Sequence, residues 1–244
     1  MKIAVLGGTG LIGSKVVGIL QTLGHDVSAH AQSTGLDLLT GQGLDEALKG
    51  AETVVNLTNS PTFDDASPAF FRTTMDNLLA SAQQAGAGHV VILSIVGADQ
   101  VPELDYYRAK VLQEDILKAG PVPYSIVRAT QFFEFMDAAL SWTADENTVR
   151  LPATPLQPIA ADDVARAVAD VTIGRPLQGT RNIAGPDVLT LDEIGRITLA
   201  ARGDRRTVTV DDSAGMFAAV TGDAIIAGQD AAIAPTSYQD WLRS

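Results

Sequence analysis

Three polar side chains of this sequence have the types and spacing needed for acid–base chemistry. Tyr106 and Lys110 are four residues apart, so on a helix they share one face and lie one turn apart. An ammonium group near a phenol lowers the pKa of the tyrosine, which can then exchange a proton with a carbonyl group. Tyr107 is the competing tyrosine, although its three-residue spacing to Lys110 is less favourable. Ser94, 12 residues before Tyr106, is predicted to end a strand and so to lie at the edge of a sheet where ligands bind.

A glycine-rich turn lies near the N-terminus. Its glycines have the spacing G-x-x-G-x-x-G, and the turn lies directly between a predicted strand and a predicted helix. In that context the first glycine permits a tight turn, the second leaves room for a pyrophosphate, and the third lets the helix pack closely on the sheet. We therefore expect the turn to bind a nicotinamide dinucleotide, through Gly7, Thr9, Gly10, Leu11, Ile12 and Gly13. Lys110 is then also placed to bind the nicotinamide ribose.

The residues after the second predicted strand bear on the choice between NADP(H) and NAD(H). An NAD site usually carries an acidic residue there, but residues 28–34 contain no Asp, Glu, Lys or Arg. The missing carboxylate favours NADP(H), since nothing repels its 2′-phosphate, while the missing cation weakens that preference. We expect neutral or flanking contacts to the cofactor from His30, Gln32, Ser33, Asp37 and Leu38.

Short runs rich in Val, Ile and Leu alternate with amphipathic runs of helical spacing, which is typical of βαβ units around a parallel sheet. The predicted strands are Lys2–Leu6, Asp26–His30, Thr53–Leu57, Val90–Ser94 and Tyr124–Arg128. Later segments predict helices over 132–142, 162–171 and 190–201. The sequence thus predicts an α/β fold, a Rossmann-type doubly wound parallel sheet with a small C-terminal substrate lobe. We interpret residues 1–244 as a single NAD(P)-binding domain, whose substrate lobe comprises mainly 131–160 and 180–244.

The amino-acid composition limits which molecules this protein is expected to bind. The formal net charge is −12, which disfavours nucleic acid and anionic membranes, because both bind basic surfaces. The chain has no cysteine, and no spacing of His, Asp or Glu suggests a metal site. With no long apolar stretch, we expect a cytoplasmic protein with a small-molecule substrate and no membrane partner. Its oligomeric state is left open between monomer and homodimer.

Several motifs together resemble the short-chain dehydrogenase/reductase (SDR) superfamily, and more closely its atypical, NmrA-like members. These are the glycine turn, residues 93–97 around Ser94, and Tyr106-x-x-x-Lys110. The segments 57–60, 77–79, 127–133, 159–165 and 238–242 are also similar to that subgroup. The resemblance spans nearly the whole chain and is strongest before residue 165.

The resemblance implies that Tyr106 is the proton donor, that Lys110 lowers its pKa and holds the ribose, and that Ser94 orients the substrate carbonyl. In an alternative register Val96 takes the place of the serine. The implied cofactor contacts extend to Thr58, Asn59, Ser94, Lys110 and Arg128.

An aromatic stripe follows the fifth predicted strand. Its members are expected either to form core or to line an apolar substrate pocket, for which the candidates are Phe132, Phe133 and Met136. We expect an NAD(P)H-dependent oxidoreductase that reduces a carbonyl or an activated double bond of a small, largely apolar molecule. The alternatives are a dinucleotide-sensing regulator without catalysis, and an SDR-like isomerase, epimerase or lyase that retains its cofactor.

Overall fold

The structure, a computed structural model, describes all 244 residues. The five predicted strands are confirmed as β1 Lys2–Leu6, β2 Asp26–His30, β3 Thr53–Asn56, β4 His89–Ile95 and β5 Tyr124–Ala129. The remaining strands are β6 Thr148–Leu151, β7 Pro155–Leu156, β8 Gly179–Ala184, β9 Leu189–Thr190, β10 Thr207–Val210 and β11 Ala232–Ile233. The helices are α1 Leu11–Thr22, α2 Leu44–Leu48, α3 Ser67–Ala85, α4 Asp105–Ala119, α5 Met136–Ser141, α6 Ala161–Ile173, α7 Leu191–Ala201 and α8 Tyr238–Trp241.

The central sheet confirms the predicted α/β, Rossmann-type architecture. It has seven strands in the order β11-β8-β5-β4-β3-β1-β2. β1 pairs in parallel with β2 on one side and with β3 on the other, so that Ile3 aligns with both Val27 and Thr53. The chain therefore reverses its direction of winding between β1 and β3. At such a switch point the loops beyond the carboxyl ends of the two strands leave a crevice for a ligand.

Helices cover both faces of the sheet because the side chains on both faces of its strands are apolar. Ala4, Leu6, Val90 and Ile92 point to one face and belong to a core formed with α2, α3 and α4. Ile3 and Val5 alternate with them and are fully buried on the other face, where α1 packs on β1 and β2. The ends of α1 and α3 lie at the glycines that predict them. Gly24 follows α1 and Gly86 caps α3, both with positive φ.

Two compact units divide the chain. The first comprises Met1–Ile95, Asp105–Arg128 and Val164–Arg181, and the second Val96–Leu104, Ala129–Asp163 and Asn182–Ser244. The second unit contains two small sheets, one with β6 parallel to β10 and one with β7 antiparallel to β9.

One predicted helix is wrong. Residues 132–142 do not form a continuous helix, since a 3₁₀ turn at Phe133–Phe135 precedes the short α5. Phe132 is extended, and the neighbouring backbone bonds to a distant segment: Phe133 N–H donates to Ile159 O, and Ile159 N–H to Gln131 O, both at 2.9 Å. These tertiary hydrogen bonds outweigh the helical spacing of the aromatic residues.

Candidate active site

The first part of the glycine turn is bonded to the neighbouring strand. The amides of Gly7 and Gly8 donate to the His30 carbonyl at 2.8 and 3.1 Å. Gly7 has φ +76°, and a Cβ there would lie 2.8 Å from the backbone carbon of Leu57. No other residue fits this position, since both the conformation and the close approach of the β3 backbone require glycine.

The second part of the turn opens the N-terminus of α1. A Cβ at Gly13 would lie 2.0 Å from Gly7 O, so the helix can pack on the turn only if this residue is glycine. Gly10, the N-cap, is exposed, has an ordinary extended conformation, and provides no side-chain cap. The amides of Leu11, Ile12 and Gly13 begin the helix, and no acidic residue lies in the first turn. An uncapped helix N-terminus beside an exposed glycine fits the pyrophosphate of a dinucleotide.

The residues after β2 provide few charged groups. His30 Nε2 lies 2.9 Å from Ser28 Oγ, and burial lowers the pKa of His30. Asp37 accepts the Leu39 amide within its own turn, and Leu38 is buried in the core formed with α2 and α3. Gln32 and Ser33 are exposed in a 3₁₀ turn. Contacts of these side chains with a cofactor stay predictions.

The loop after β3 is ordered by a residue that sequence reasoning missed. Asn56 is buried at the end of β3, and its Oδ1 accepts the Thr58 amide at 3.1 Å and the Thr58 hydroxyl at 2.7 Å. These bonds hold Thr58, the residue before Asn59, at the switch point. The available signal was a polar residue ending an otherwise apolar strand.

Tyr106 lies at this same loop. Its hydroxyl donates to Asn59 Oδ1 at 2.5 Å, and its ring packs edge-on against Phe63 with centroids 4.7 Å apart. Burial raises the pKa of Tyr106 to about 12, although the hydrogen bond to Asn59 lowers it. The phenol is therefore protonated at neutral pH. Tyr106 is partly buried, whereas Tyr107 is almost completely buried, with 3% of its surface exposed.

Lys110 shares the helix face of Tyr106, as the four-residue spacing predicts, because both side chains contact the Phe71 ring. The Lys110 ammonium donates to Leu93 O at 2.8 Å and to the side-chain oxygen of Gln113, and it does not bond the Tyr106 hydroxyl. Burial lowers the pKa of Lys110 to about 7, against the opposing charge of Glu114. The predicted lowering of the Tyr106 pKa by this ammonium is thus not found: burial and Tyr107 raise that pKa, the hydrogen bond to Asn59 lowers it, and Lys110 does not contribute.

A buried ion pair lies one turn further along α4. Arg128 donates from Nε and Nη2 to the two oxygens of Glu114 at 2.7 and 2.8 Å, and the Glu114 side chain has no exposed surface. Burial acts to raise the pKa of Glu114, but hydrogen bonding and the charges of Arg128 and Lys118 outweigh it, so the pKa is lowered. The guanidinium of Arg128 is thereby held on β5 against α4, and its contact with a cofactor stays a prediction.

Ser94 lies on the side of β4 that faces α4. It is buried, and its hydroxyl makes no hydrogen bond of ordinary geometry, although it lies close enough to Glu114 to help lower the pKa of that carboxyl group. Val96, the residue of the alternative register, is also buried. The structure therefore brings Ser94 to the Glu114 end of the α4 face rather than to the Tyr106 hydroxyl.

The three predicted substrate residues lie in the second unit. Phe133 is 1% exposed and packs on Tyr238 and Trp241, with ring centroids 5.0 and 5.5 Å apart. Met136 is fully buried, and Phe132 is half-buried. Phe133 and Met136 thus contribute to packing, and contact of any of the three with a substrate stays a prediction.

Two further findings concern the whole chain. No group of three His, Asp or Glu side chains is arranged to hold a metal ion. No helix is both long and apolar enough to cross a membrane.

Residues 7–173 match the protein family described as NAD(P)H-binding. Over 210 residues the chain is 26% identical to a (4-alkanoyl-5-oxo-2,5-dihydrofuran-3-yl)methyl phosphate reductase of Streptomyces griseus, covering 78% of this chain and 70% of that enzyme.

Solved structures of low identity share the fold. A nucleoside-diphosphate-sugar epimerase of Staphylococcus aureus is 18% identical, with a TM-score of 0.74 and full coverage of both chains. A UDP-glucose 4-epimerase of Thermus thermophilus, in complex with NAD, is 18% identical, with a TM-score of 0.72 and coverage of 86% of each chain. A dTDP-4-dehydrorhamnose reductase of Clostridium acetobutylicum is 19% identical, with a TM-score of 0.71 and coverage of 86% and 84%.

The family match covers the glycine turn, the Asn59 loop and the face of α4 that carries Tyr106 and Lys110. The predicted relation to atypical SDRs is confirmed: this chain belongs to the NAD(P)H-binding family and has the Rossmann-type fold of SDR-like proteins.

Proposed function

We propose that this chain uses NADPH to reduce an activated double bond or a carbonyl of a small, largely apolar molecule, with Tyr106 as the proton donor. The observation that carries this proposal is the Tyr106 phenol, protonated and fixed by Asn59 at 2.5 Å, beside the loop that follows β3. β1 and β3 are parallel neighbours, so this loop and the glycine turn lie at the same edge of the sheet. A proton donor and a dinucleotide site at one edge are the two parts that a reductase needs.

The chain would hold the cofactor mainly through backbone groups. The pyrophosphate would lie over Gly10, at the amides that begin α1, where no side chain competes for them. Two of the three N–H donors of a protonated Lys110 are used by Leu93 and Gln113, which leaves the third for a ribose hydroxyl. Since neither an acid nor a cation follows β2 in residues 28–34, we expect a modest preference for NADPH over NADH. When bound, the nicotinamide supplies a hydride.

Tyr106 would deliver the matching proton. Its raised pKa keeps the hydroxyl protonated, and the Asn59 side chain fixes its position. Reduction of a conjugated double bond places hydride on the carbon β to the carbonyl and the Tyr106 proton on the α carbon. Solvent would then reprotonate the phenolate that is left behind.

The Streptomyces relative suggests a substrate class. Its name describes an unsaturated five-membered lactone that carries an acyl group and a phosphorylated hydroxymethyl group. The ring double bond of such a butenolide is conjugated with two carbonyl groups, and it accepts hydride readily. We propose α-acyl butenolides as the first substrates to test for this chain, ahead of simple apolar ketones and quinones.

The test is NADPH consumption with α-acetyl butenolide, followed by mass spectrometry of the product. With NADPH that carries two deuterium atoms at C4 of the nicotinamide, the proposal predicts one deuterium at the β carbon and stoichiometric loss of NADPH. NADPH binding without turnover across the three substrate classes would favour the sensing regulator. Conversion of substrate without net loss of NADPH would favour an isomerase, epimerase or lyase.

A further inference from the structure

A buried amide in the second unit has no hydrogen-bond partner at either end. Gln131 is 8% exposed, and neither its Nε2 nor its Oε1 is bonded. The hydroxyl of neighbouring Thr130, which is 2% exposed, and Oδ1 of Asn182 are likewise unbonded. Thr130 N–H donates to Ile183 O at 3.2 Å, so the segment carrying Asn182 lies beside it. A buried polar group without a partner destabilises the fold, so such a cluster needs an explanation.

The backbone around Gln131 is well fixed. Its carbonyl accepts the Ile159 amide at 2.9 Å, and the flanking Phe133 amide donates to Ile159 O at 2.9 Å. The unbonded side chain is therefore not part of a loose loop that could turn it toward water. β5 ends at Ala129, so Thr130 and Gln131 are the first residues beyond its carboxyl end, and ligands of open α/β sheets bind beyond these ends.

A second buried glutamine in the same unit gives the contrast. Gln157 is 6% exposed, and both ends of its amide are bonded. Its Nε2 donates to Gly185 O at 3.0 Å, and its Oε1 accepts the Ala227 amide at 3.1 Å. A glutamine with a structural role in this unit is thus bonded at both ends of its amide, whereas Gln131 keeps its amino group and its carbonyl oxygen unused.

We propose that the Gln131 amide binds the polar end of the substrate and determines specificity for it. Its Nε2 would donate to a carbonyl oxygen of the conjugated acceptor, and its Oε1 would accept from a hydroxyl group where the substrate carries one. This inference rests on the proposed reductase function. It restricts the substrate to molecules that carry a carbonyl group.

Two matched variants, Gln131→Leu and Gln157→Leu, test the inference in the full-length protein without any substrate. Leucine at position 131 removes a polar group that has no partner, so the melting temperature should stay equal to that of the parent or rise. Leucine at position 157 leaves Gly185 O and the Ala227 amide unpaired, so the melting temperature should fall. A fall for Gln131→Leu as large as that for Gln157→Leu would mean that Gln131 has a structural role, and would overturn the inference.

The binding arm uses α-acetyl butenolide and NADPH. Gln131→Leu should raise the KM for the butenolide by about tenfold to a hundredfold, since a buried hydrogen bond to the ligand is lost, and should leave the Kd for NADPH unchanged. An unchanged KM, or a rise in the Kd for NADPH alone, would overturn the inference. If the parent does not turn the butenolide over, calorimetric binding decides: weaker binding to Gln131→Leu supports the inference, whereas equal binding or no binding to the parent overturns it.

Discussion

Alanine substitutions at three glycines of the first βα unit distinguish effects on cofactor affinity from effects on stability. A Cβ at Gly10 would meet only Gly7 O, at 3.3 Å, and Gly10 has an extended conformation that any residue adopts. A Cβ at Gly13 would lie 2.0 Å from that same oxygen. Gly18, in the interior of α1, has no atom within 4 Å of the corresponding position. Alanine at these positions therefore adds the same methyl group to three different surroundings.

The expected magnitudes follow from those distances. Gly18→Ala should raise the free energy of unfolding by about 0.5–1 kcal/mol, because alanine is favoured inside a helix. Gly13→Ala should lower the free energy of unfolding. Overpacking usually costs about 1–3 kcal/mol, and the loss here should be larger because the backbone must move. Gly10→Ala should change stability little, but should weaken NADPH binding by about tenfold or more, equivalent to about 1.4 kcal/mol. Gly10→Val, with its larger side chain, should weaken it further.

Urea unfolding gives the stabilities, and calorimetric titration with NADPH at fixed salt gives the affinities. Gly18→Ala is the matched control, because it changes the same helix away from the turn. The assignment of the turn as the pyrophosphate site fails if folded Gly10→Ala and Gly10→Val bind NADPH as tightly as the parent. It also fails if Gly18→Ala loses affinity by the same factor.

Two further substitutions test the buried charges of α4. The pKa of Lys110 is about 7 in the folded state and about 10.4 in an unfolded chain, so the unfolded state binds more protons between these values and stability should rise with pH there. Lys110→Met should flatten that rise in melting temperature; a parallel pH profile in parent and variant would contradict it. Arg128→Met leaves Glu114 buried without its bidentate partner and should lower the free energy of unfolding by about 3–5 kcal/mol in urea titrations. Weaker NADPH binding with unchanged stability would instead support the predicted cofactor contact of Arg128.

The parts of the fold that depend on residues close together in sequence could be predicted. β1 to β5 follow from apolar runs and the glycines between them, and the turn at Gly7 follows from its spacing. β8 was missed because it carries Arg181 and Asn182, and β11 because it has only two residues. Both are held by backbone pairing with distant strands, which leaves little trace in local sequence.

The candidate site likewise has features that the local sequence predicts and features that it does not. The shared face of Tyr106 and Lys110 follows from helical spacing. The partner of Tyr106 is Asn59, 47 residues away in sequence, and the partner of Glu114 is Arg128, 14 residues away. Neither pair has a local signal. The direction of the Tyr106 pKa shift depends on how deeply the phenol is buried, which only the packed structure reveals.

The most direct test of the central claim is the single-turnover rate of NADPH oxidation by Tyr106→Phe with α-acetyl butenolide as substrate. The substitution removes one hydroxyl group, and the ring contacts with Phe63 and Phe71 can stay in place. Positioned proton donation predicts a fall of about 10²–10⁴-fold in this rate, with NADPH affinity retained and with Tyr107→Phe close to the parent. A Tyr106→Phe rate equal to that of the parent would contradict the assignment of Tyr106 as the proton donor.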